Sequence, residues 1–319
     1  MPAIRAKFTS HHNSRLTNRV KMKALYQLFT KVFIEKMSQM EAPPPMLRFV
    51  PVDKVLPHEE ADHQRYQPLV KRIIDSGIWL HPPIVAPLPE RDGYYVVLDG
   101  ANRTHSIKSL KFPHILVQIV SYDSDQVRLE TWCHVVSDLN CETFLPDVEA
   151  INGIEVRESD KLSAQAELAQ RNILAYIMDF QKNAVYSLHM DDHSLAFKNR
   201  ALRSLVATYK RQGKLDRISR SEPEVIRKMF PRANALVVFP HYEPAEILVA
   251  ARDNEPLPPG ISRHVIQGRA MRLNYPLDDL RTPLKTLAQK NQELAEWVLE
   301  RIDKRSMRFY AESTYVFDE

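Results

Sequence analysis

Cysteine is nearly absent from this chain: Cys133 and Cys141 are the only two in 319 residues. Two thiols exclude a disulfide framework and a cysteine-built zinc cluster, and a reducing cytoplasm is their simplest home. Glycine is scarce as well, seven in all, so each is expected to mark a turn. No apolar run approaches the ~18 residues that a membrane span requires, so no membrane partner is expected. A large charge excess is missing too, once the net +4 is divided along the chain. Residues 1–45 hold eight Lys and Arg against Glu35 and Glu41, which leaves residues 46–319 at −2. A body so close to neutrality is a poor nucleic-acid binder, because phosphate contacts from Lys and Arg dominate such affinity. DNA is therefore not the expected partner.

What is present fits an ordinary globular protein. The chain is 44% hydrophobic and 26% charged, and long enough for two domains of ~150 residues. Residues 1–45 form a basic leader, helical or disordered, with no acid before Glu35. It resembles an organelle transit peptide in composition, and it also reads as an amphipathic leader helix or an extended start. Pro43, Pro44 and Pro45 end it as a stiff spacer.

The stretch 94–110, YYVVLDGANRTHSIKSL, carries the most chemistry. Tyr94 to Leu98 is a β-branched and aromatic run of strand length. Asp99-Gly100 breaks it, and Ile107 and Leu110 in Thr104–Leu110 begin a helix. A strand, a glycine turn and a helix N-terminus aim unpartnered N–H groups at one point, which attracts phosphate. Arg103 adds a planar fork for phosphate oxygens, and Asp99 a carboxylate for a metal or a proton. The plainer alternative stays open: a βα turn in which Asp99 caps the helix and Arg103 is solvated.

Around that stretch the pattern is compact and mixed. Strands are expected at 48–52, 82–86 and 115–120, with helices at 65–75, closed by Gly77, and at 125–136. Further on come a hairpin over 173–180 and 184–190, a helix at 195–211, a strand at 235–239 and a helix at 243–251. Ser262–Ile266 is a strand, 269–275 another, and 277–301 the longest helix, broken at Pro283. The fold class is α/β (α+β): a first domain at 46–140 and a second mixed α/β domain at 141–319. His189, Asp191, Asp192 and His193 look like a metal cluster by composition, or simply like a polar hairpin end.

A leading strand, His58-Glu59, a helix ending in Asp-Ser-Gly, Pro-Pro-Ile-Val and Leu-Asp-Gly-x-x-Arg together resemble the ParB/sulfiredoxin-like fold. Sulfiredoxins need a cysteine where this chain has Ala101, which excludes that branch. The chromosome-partitioning branch carries a second arginine and a helix-turn-helix domain; this chain has Asn102-Arg103-Thr104 and a β-containing second half. The sequence resembles most the free L-serine kinases, through the Pro-Pro-Gly-Ile-Ser-Arg-His segment as well, over roughly residues 46–319. The resemblance implies transfer of a phosphoryl group from ATP or ADP, with Mg2+, to L-serine, giving O-phospho-L-serine. The rival reading is a ParB-like nucleotide- or DNA-binding regulator without kinase activity.

The resemblance also implies roles. Glu59 is the expected catalytic base, with Glu60 as fallback; Asp99 is the second catalytic group and holds the metal. Gly100, Asn102, Arg103, Thr104 and His105 are expected around the phosphates. The family's histidines at positions 101 and 102 are replaced here by Ala101 and Asn102, which puts one phosphate contact in doubt. Trp132, expected on a helix, together with Ser262 and His264, is implied to hold the amino acid. Arg263, Arg269 and Arg272 could aid an anionic substrate or lie solvated on a strand face.

Overall fold

A computed structural model describes residues 44–310 of the chain. Residues 1–43 of the basic leader expected at 1–45, and residues 311–319, lie outside the described residues. Residues 46–292 form one compact unit.

It begins with β1 (Met46–Pro51), β2 (Val55–Pro57), α1 (His63–Ser76), β3 (Ile78–Trp79), β4 (Ile84–Pro87) and β5 (Tyr95–Asp99). Next come α2 (Ala101–Ser109), β6 (His114–Ile119), β7 (Val127–Thr131), β8 (Cys133–Ser137), α3 (Cys141–Glu149) and β9 (Ile154–Ser159). The chain continues through α4 (Lys161–Ala169), β10 (Ile173–Asp179), β11 (Ala184–Met190), α5 (Leu195–Lys210), β12 (Lys214–Ile218) and α6 (Pro223–Met229). It closes with β13 (Ala233–Val238), α7 (Pro244–Arg252), β14 (Ser262–Ile266), β15 (Tyr275–Pro276), α8 (Leu277–Arg281) and α9 (Leu287–Asp303).

The strands build a five-stranded sheet ordered β1-β6-β4-β5-β2 and a six-stranded sheet ordered β12-β8-β13-β10-β11-β9, with two small pairs, β14-β7 and β15-β3. This is the mixed α/β architecture expected. The six-stranded sheet is covered on both faces, so its central strands are apolar throughout. Val136, Ala175 and Ile177 join Ile84, Val96, Leu98, Phe144 and Tyr209 in one core. On the opposite face Val135, Tyr176 and Leu236 pack with Ile218 and Ile226. Every residue of β10 is buried, which is why it reads as a continuous apolar run.

Three expectations change. Residues 125–136 form two strands, not a helix. Val127, Leu129 and Thr131 alternate along β7, and β8 is buried along its whole length. Pairing with β14 on one side and with β12 and β13 on the other overrides a local spacing that resembled a helix. Residues 269–274 are irregular, and only Tyr275–Pro276 pairs, with β3. The break near Pro283 is real and divides the long helix into α8 and α9. Strand β8 also carries the chain into the six-stranded sheet before residue 140, where a domain boundary was expected. No helix among the described residues is long and apolar enough to cross a membrane.

Candidate active site

The turn between β5 and α2 is built as its sequence suggests. Gly100 has φ 96°, and a Cβ there would stand 2.7 Å from Arg103 Nη2 and 3.0 Å from the Pro83 Cα. Only glycine fits this left-handed, crowded position. Thr104 donates its N–H to the Gly100 carbonyl at 2.9 Å, so the N–H groups of residues 101–103 precede the helical bonding pattern. Arg103 donates to Asp99 Oδ2 at 2.9 Å. Arg269 pairs with the same oxygen from the stretch after β14. The Arg103 Nε is buried without a hydrogen-bond partner, a donor with no acceptor beside a helix N-terminus. An anion with several oxygens would satisfy it.

The other residues expected here divide. Asn102 accepts from the Asp62 N–H at 3.1 Å, tying α2 to the start of α1. Thr104 is fully buried, and its hydroxyl bonds the Gly100 carbonyl at 3.1 Å. It builds the turn and presents no hydroxyl to a phosphate. The His105 ring lies 6.4 Å from the Tyr66 ring, on the side of α2 that meets α1.

A second cluster forms where β2 ends. β2 runs parallel to β5 with Pro57 opposite Val97, so His58 and Glu59 emerge beside Asp99's strand. The turn at 257–260 lies against them: Leu257 donates to the His58 carbonyl at 2.8 Å, and Glu60 N–H to the Leu257 carbonyl at 2.9 Å. Glu59 Oε1 accepts the Ser262 hydroxyl at 2.5 Å, and Oε2 accepts the Gly260 N–H at 3.3 Å. The Arg217 guanidinium fills the space beside Gly260, 2.0 Å from where a Cβ would stand, which pins the turn. Glu60 points elsewhere, to Arg203 at 3.4 Å, and its side chain is 47% exposed against 16% for Glu59.

Ser262 and His264 sit on β14, Ser262 opposite Thr131 of β7. His264 Nε2 meets the Tyr122 hydroxyl at 2.8 Å, so that nitrogen is engaged inside the protein. Burial first, and the neighbouring His58 second, push His264 down to about 2, so it is a neutral ring. Burial likewise raises the Tyr122 hydroxyl. Trp132 lies between two strands, with the Arg263 guanidinium 4.3 Å above its ring and Arg263 held by Glu130 at 3.1 Å. That pairing accounts for Arg263 locally.

No group of three or more His, Cys, Asp or Glu side chains comes together as a metal cage among the described residues. His189 faces Glu167 at 3.9 Å, and Asp192 caps the Ser194 N–H at 2.7 Å, so the polar hairpin end serves local structure. Sequence reasoning did not single out His58, Tyr122 or Arg217. His58 was visible as half of a His-Glu pair, while Tyr122 and Arg217 have no local signal.

The fold is that of solved free serine kinases. A solved free serine kinase carrying an alanine-for-glutamate substitution, in complex with AMP, superposes with a TM-score of 0.64 at 17% identity, covering 76% of this chain and 98% of that one. The sequence is similar to curated proteins of the same kind. It is 25% identical over 237 residues to an ATP-dependent L-serine kinase of Staphylothermus marinus, covering 73% of this chain and 90% of the relative. It is 23% identical over 235 residues to the ADP-dependent L-serine kinase of Thermococcus kodakarensis, covering 73% and 92%. No family profile matches the chain.

Proposed function

We propose that this protein phosphorylates the hydroxyl of free L-serine with ATP or ADP, giving O-phospho-L-serine. The observation that carries the proposal is the juxtaposition of a phosphate-receiving turn with a partly buried carboxylate whose neighbours are hydroxyl and imidazole groups. Phosphoryl transfer asks for alignment, charge stabilisation and one base near the attacking oxygen. Arg103, its Nε unpartnered, and the first N–H groups of α2 supply the charge stabilisation. Glu59, held by Ser262 and Gly260, supplies the base. It accepts the substrate hydroxyl proton as that oxygen bonds to the terminal phosphorus and the nucleotide leaves. Ser262, Trp132 and His264 frame the amino acid, His264 through Tyr122 rather than by direct contact.

Magnesium fits the donor set in one mode. A single carboxylate, Asp99, stands at the mouth of a phosphate-receiving turn, and Mg2+ takes one or two carboxylates plus substrate phosphates and water. Asp99 would hold it, and the ion would neutralise charge on the bridging phosphate oxygens. Relatives using either nucleotide are similar to this chain to nearly the same degree, so the donor is ATP or ADP. Cys133 and Cys141 are buried free thiols, and burial pushes Cys133 up to about 12, consistent with a reducing cytoplasm.

The test is incubation of purified protein with L-serine, MgCl2 and ATP or ADP, followed by phosphorus NMR. O-phospho-L-serine is the expected product. DNA binding with no phosphoserine from either nucleotide would favour the regulator reading.

A further inference from the structure

The hydrogen bonds behind Glu59 hold one proton too many for a simple carboxylate. His58 Nδ1 lies 2.5 Å from the Val97 carbonyl, His58 Nε2 lies 2.7 Å from Ser262 Oγ, and Ser262 Oγ lies 2.5 Å from Glu59 Oε1. Each of the three gaps needs a hydrogen. The Val97 carbonyl can only accept, so Nδ1 carries a proton. A neutral imidazole and one hydroxyl supply two hydrogens in total, and an ionised Glu59 supplies none. The chain of contacts closes only when a third proton is present, either as imidazolium with carboxylate or as imidazole with carboxylic acid.

We infer that His58 stores the proton that Glu59 removes from the substrate hydroxyl, with the Ser262 hydroxyl carrying it between them. This rests on the kinase reading above and extends it. When the third proton has left, the Ser262 hydroxyl turns from Glu59 to the neutral His58 Nε2, and the Glu59 contact loosens. The substrate O–H bond then breaks as an Oε–H bond forms on Glu59. That proton moves to Ser262 Oγ while the original hydroxyl proton passes to His58 Nε2. Glu59 ends ionised again, His58 ends as imidazolium, and no electron is gained or lost. After product leaves, the proton returns by the same path to Glu59, the more exposed end.

The surroundings favour this arrangement. Glu59 Oε1 lies 3.7 Å from His58 Nε2, within ion-pair range. The Val97 carbonyl fixes the tautomer so that Nε2 faces Ser262. From β14, His264 packs edge-on with ring centroids 5.3 Å apart and brings no charge, because burial keeps it neutral. From β12, the Arg217 guanidinium packs against the Gly260 turn whose N–H donates to Glu59. His58 is a positioning and storage residue acting through Glu59.

The experiment uses the full chain and two readouts. In steady-state assays over pH, His58→Gln keeps a donor to Ser262 but cannot accept a proton. It should lower kcat about 10- to 100-fold, the span of a proton-transfer contribution, with KM for L-serine within about twofold. Its acid limb in kcat should move to lower pH, because only a carboxylate is left to take the proton. Ser262→Ala should move that limb in the same way, and Ser262→Thr should restore it. Independently of turnover, nitrogen-15 NMR at one fixed pH reads whether the His58 ring carries one proton or two. Glu59→Gln should move the ring signals toward the neutral imidazole pattern, because the anionic partner 3.7 Å away is gone. Unmoved ring signals in Glu59→Gln, or a wild-type pH profile in His58→Gln, overturns the relay. Absence of phosphoserine from the wild-type protein retires the kinase reading and the catalytic role together, whatever the ring signals show.

Discussion

Arg269, from the irregular stretch after β14, reaches Asp99 at the end of β5 and shares its Oδ2 with Arg103. Two guanidinium groups on one carboxylate oxygen, one with a buried unsatisfied Nε, describe a site that is overcharged until an anion arrives.

Arg103→Ala should therefore weaken nucleotide binding, and Asp99→Asn magnesium-assisted nucleotide binding, about tenfold or more while L-serine affinity changes little. Loss of one charge-assisted contact is worth ~1.5–3 kcal/mol. Titration calorimetry with ADP, with and without MgCl2, measures it. Asp99→Asn should lose most of the magnesium dependence, and unchanged affinity in both variants contradicts the phosphate-turn assignment.

Glu59→Gln should reduce turnover by at least ~100-fold and leave nucleotide binding intact, because the substitution removes only the base. Glu60→Gln should keep near-normal turnover, since Glu60 faces Arg203 rather than Ser262. Phosphoserine formation by the two variants, side by side, separates the neighbours. Reversal of that order transfers the role to Glu60.

Gly100→Ala should cost ~1–3 kcal/mol of stability and disturb nucleotide binding. The position has φ 96°, and its Cβ would press on Arg103 and on the Pro83 backbone. Urea denaturation gives the first effect and calorimetry the second. A fully stable variant with native nucleotide affinity would show that the turn tolerates a side chain.

Stability should fall with acid in a defined window. Burial lowers His134 to about 3 and His264 to about 2. Each is neutral when folded but takes a proton near ~6.5 when unfolded, so the unfolded chain binds more protons below that pH. The contribution is complete above ~6.5 and declines as pH falls toward 3. By pH 5 each histidine should subtract about 2 kcal/mol. Urea midpoints measured from pH 7 to pH 5 read the loss. His134 bonds Tyr209 at 2.8 Å and the Gly260 carbonyl at 2.9 Å, so its protonation also loosens the turn beside Glu59.

Much of this was written locally. The run Tyr95–Asp99, Gly100 and the helix after it specify their turn through neighbours only, because β-branched residues, a positive-φ glycine and helix spacing act over a few positions. The hairpin of β10 and β11 and the helix of α5 were legible for the same reason. The helix expected at 125–136 was not, because β7 and β8 take their form from strands more than 75 residues later. The same distance hides the Glu59 cluster. Nothing near Glu59 announces that Ser262, 203 residues on, donates to it, or that Val97 fixes the tautomer of His58. Sequence determined which groups could do phosphoryl chemistry, since that depends on side-chain type and local backbone. Only the tertiary structure decided which of them share protons, because a hydrogen bond requires approach within about 3 Å, and chain separation says nothing about that.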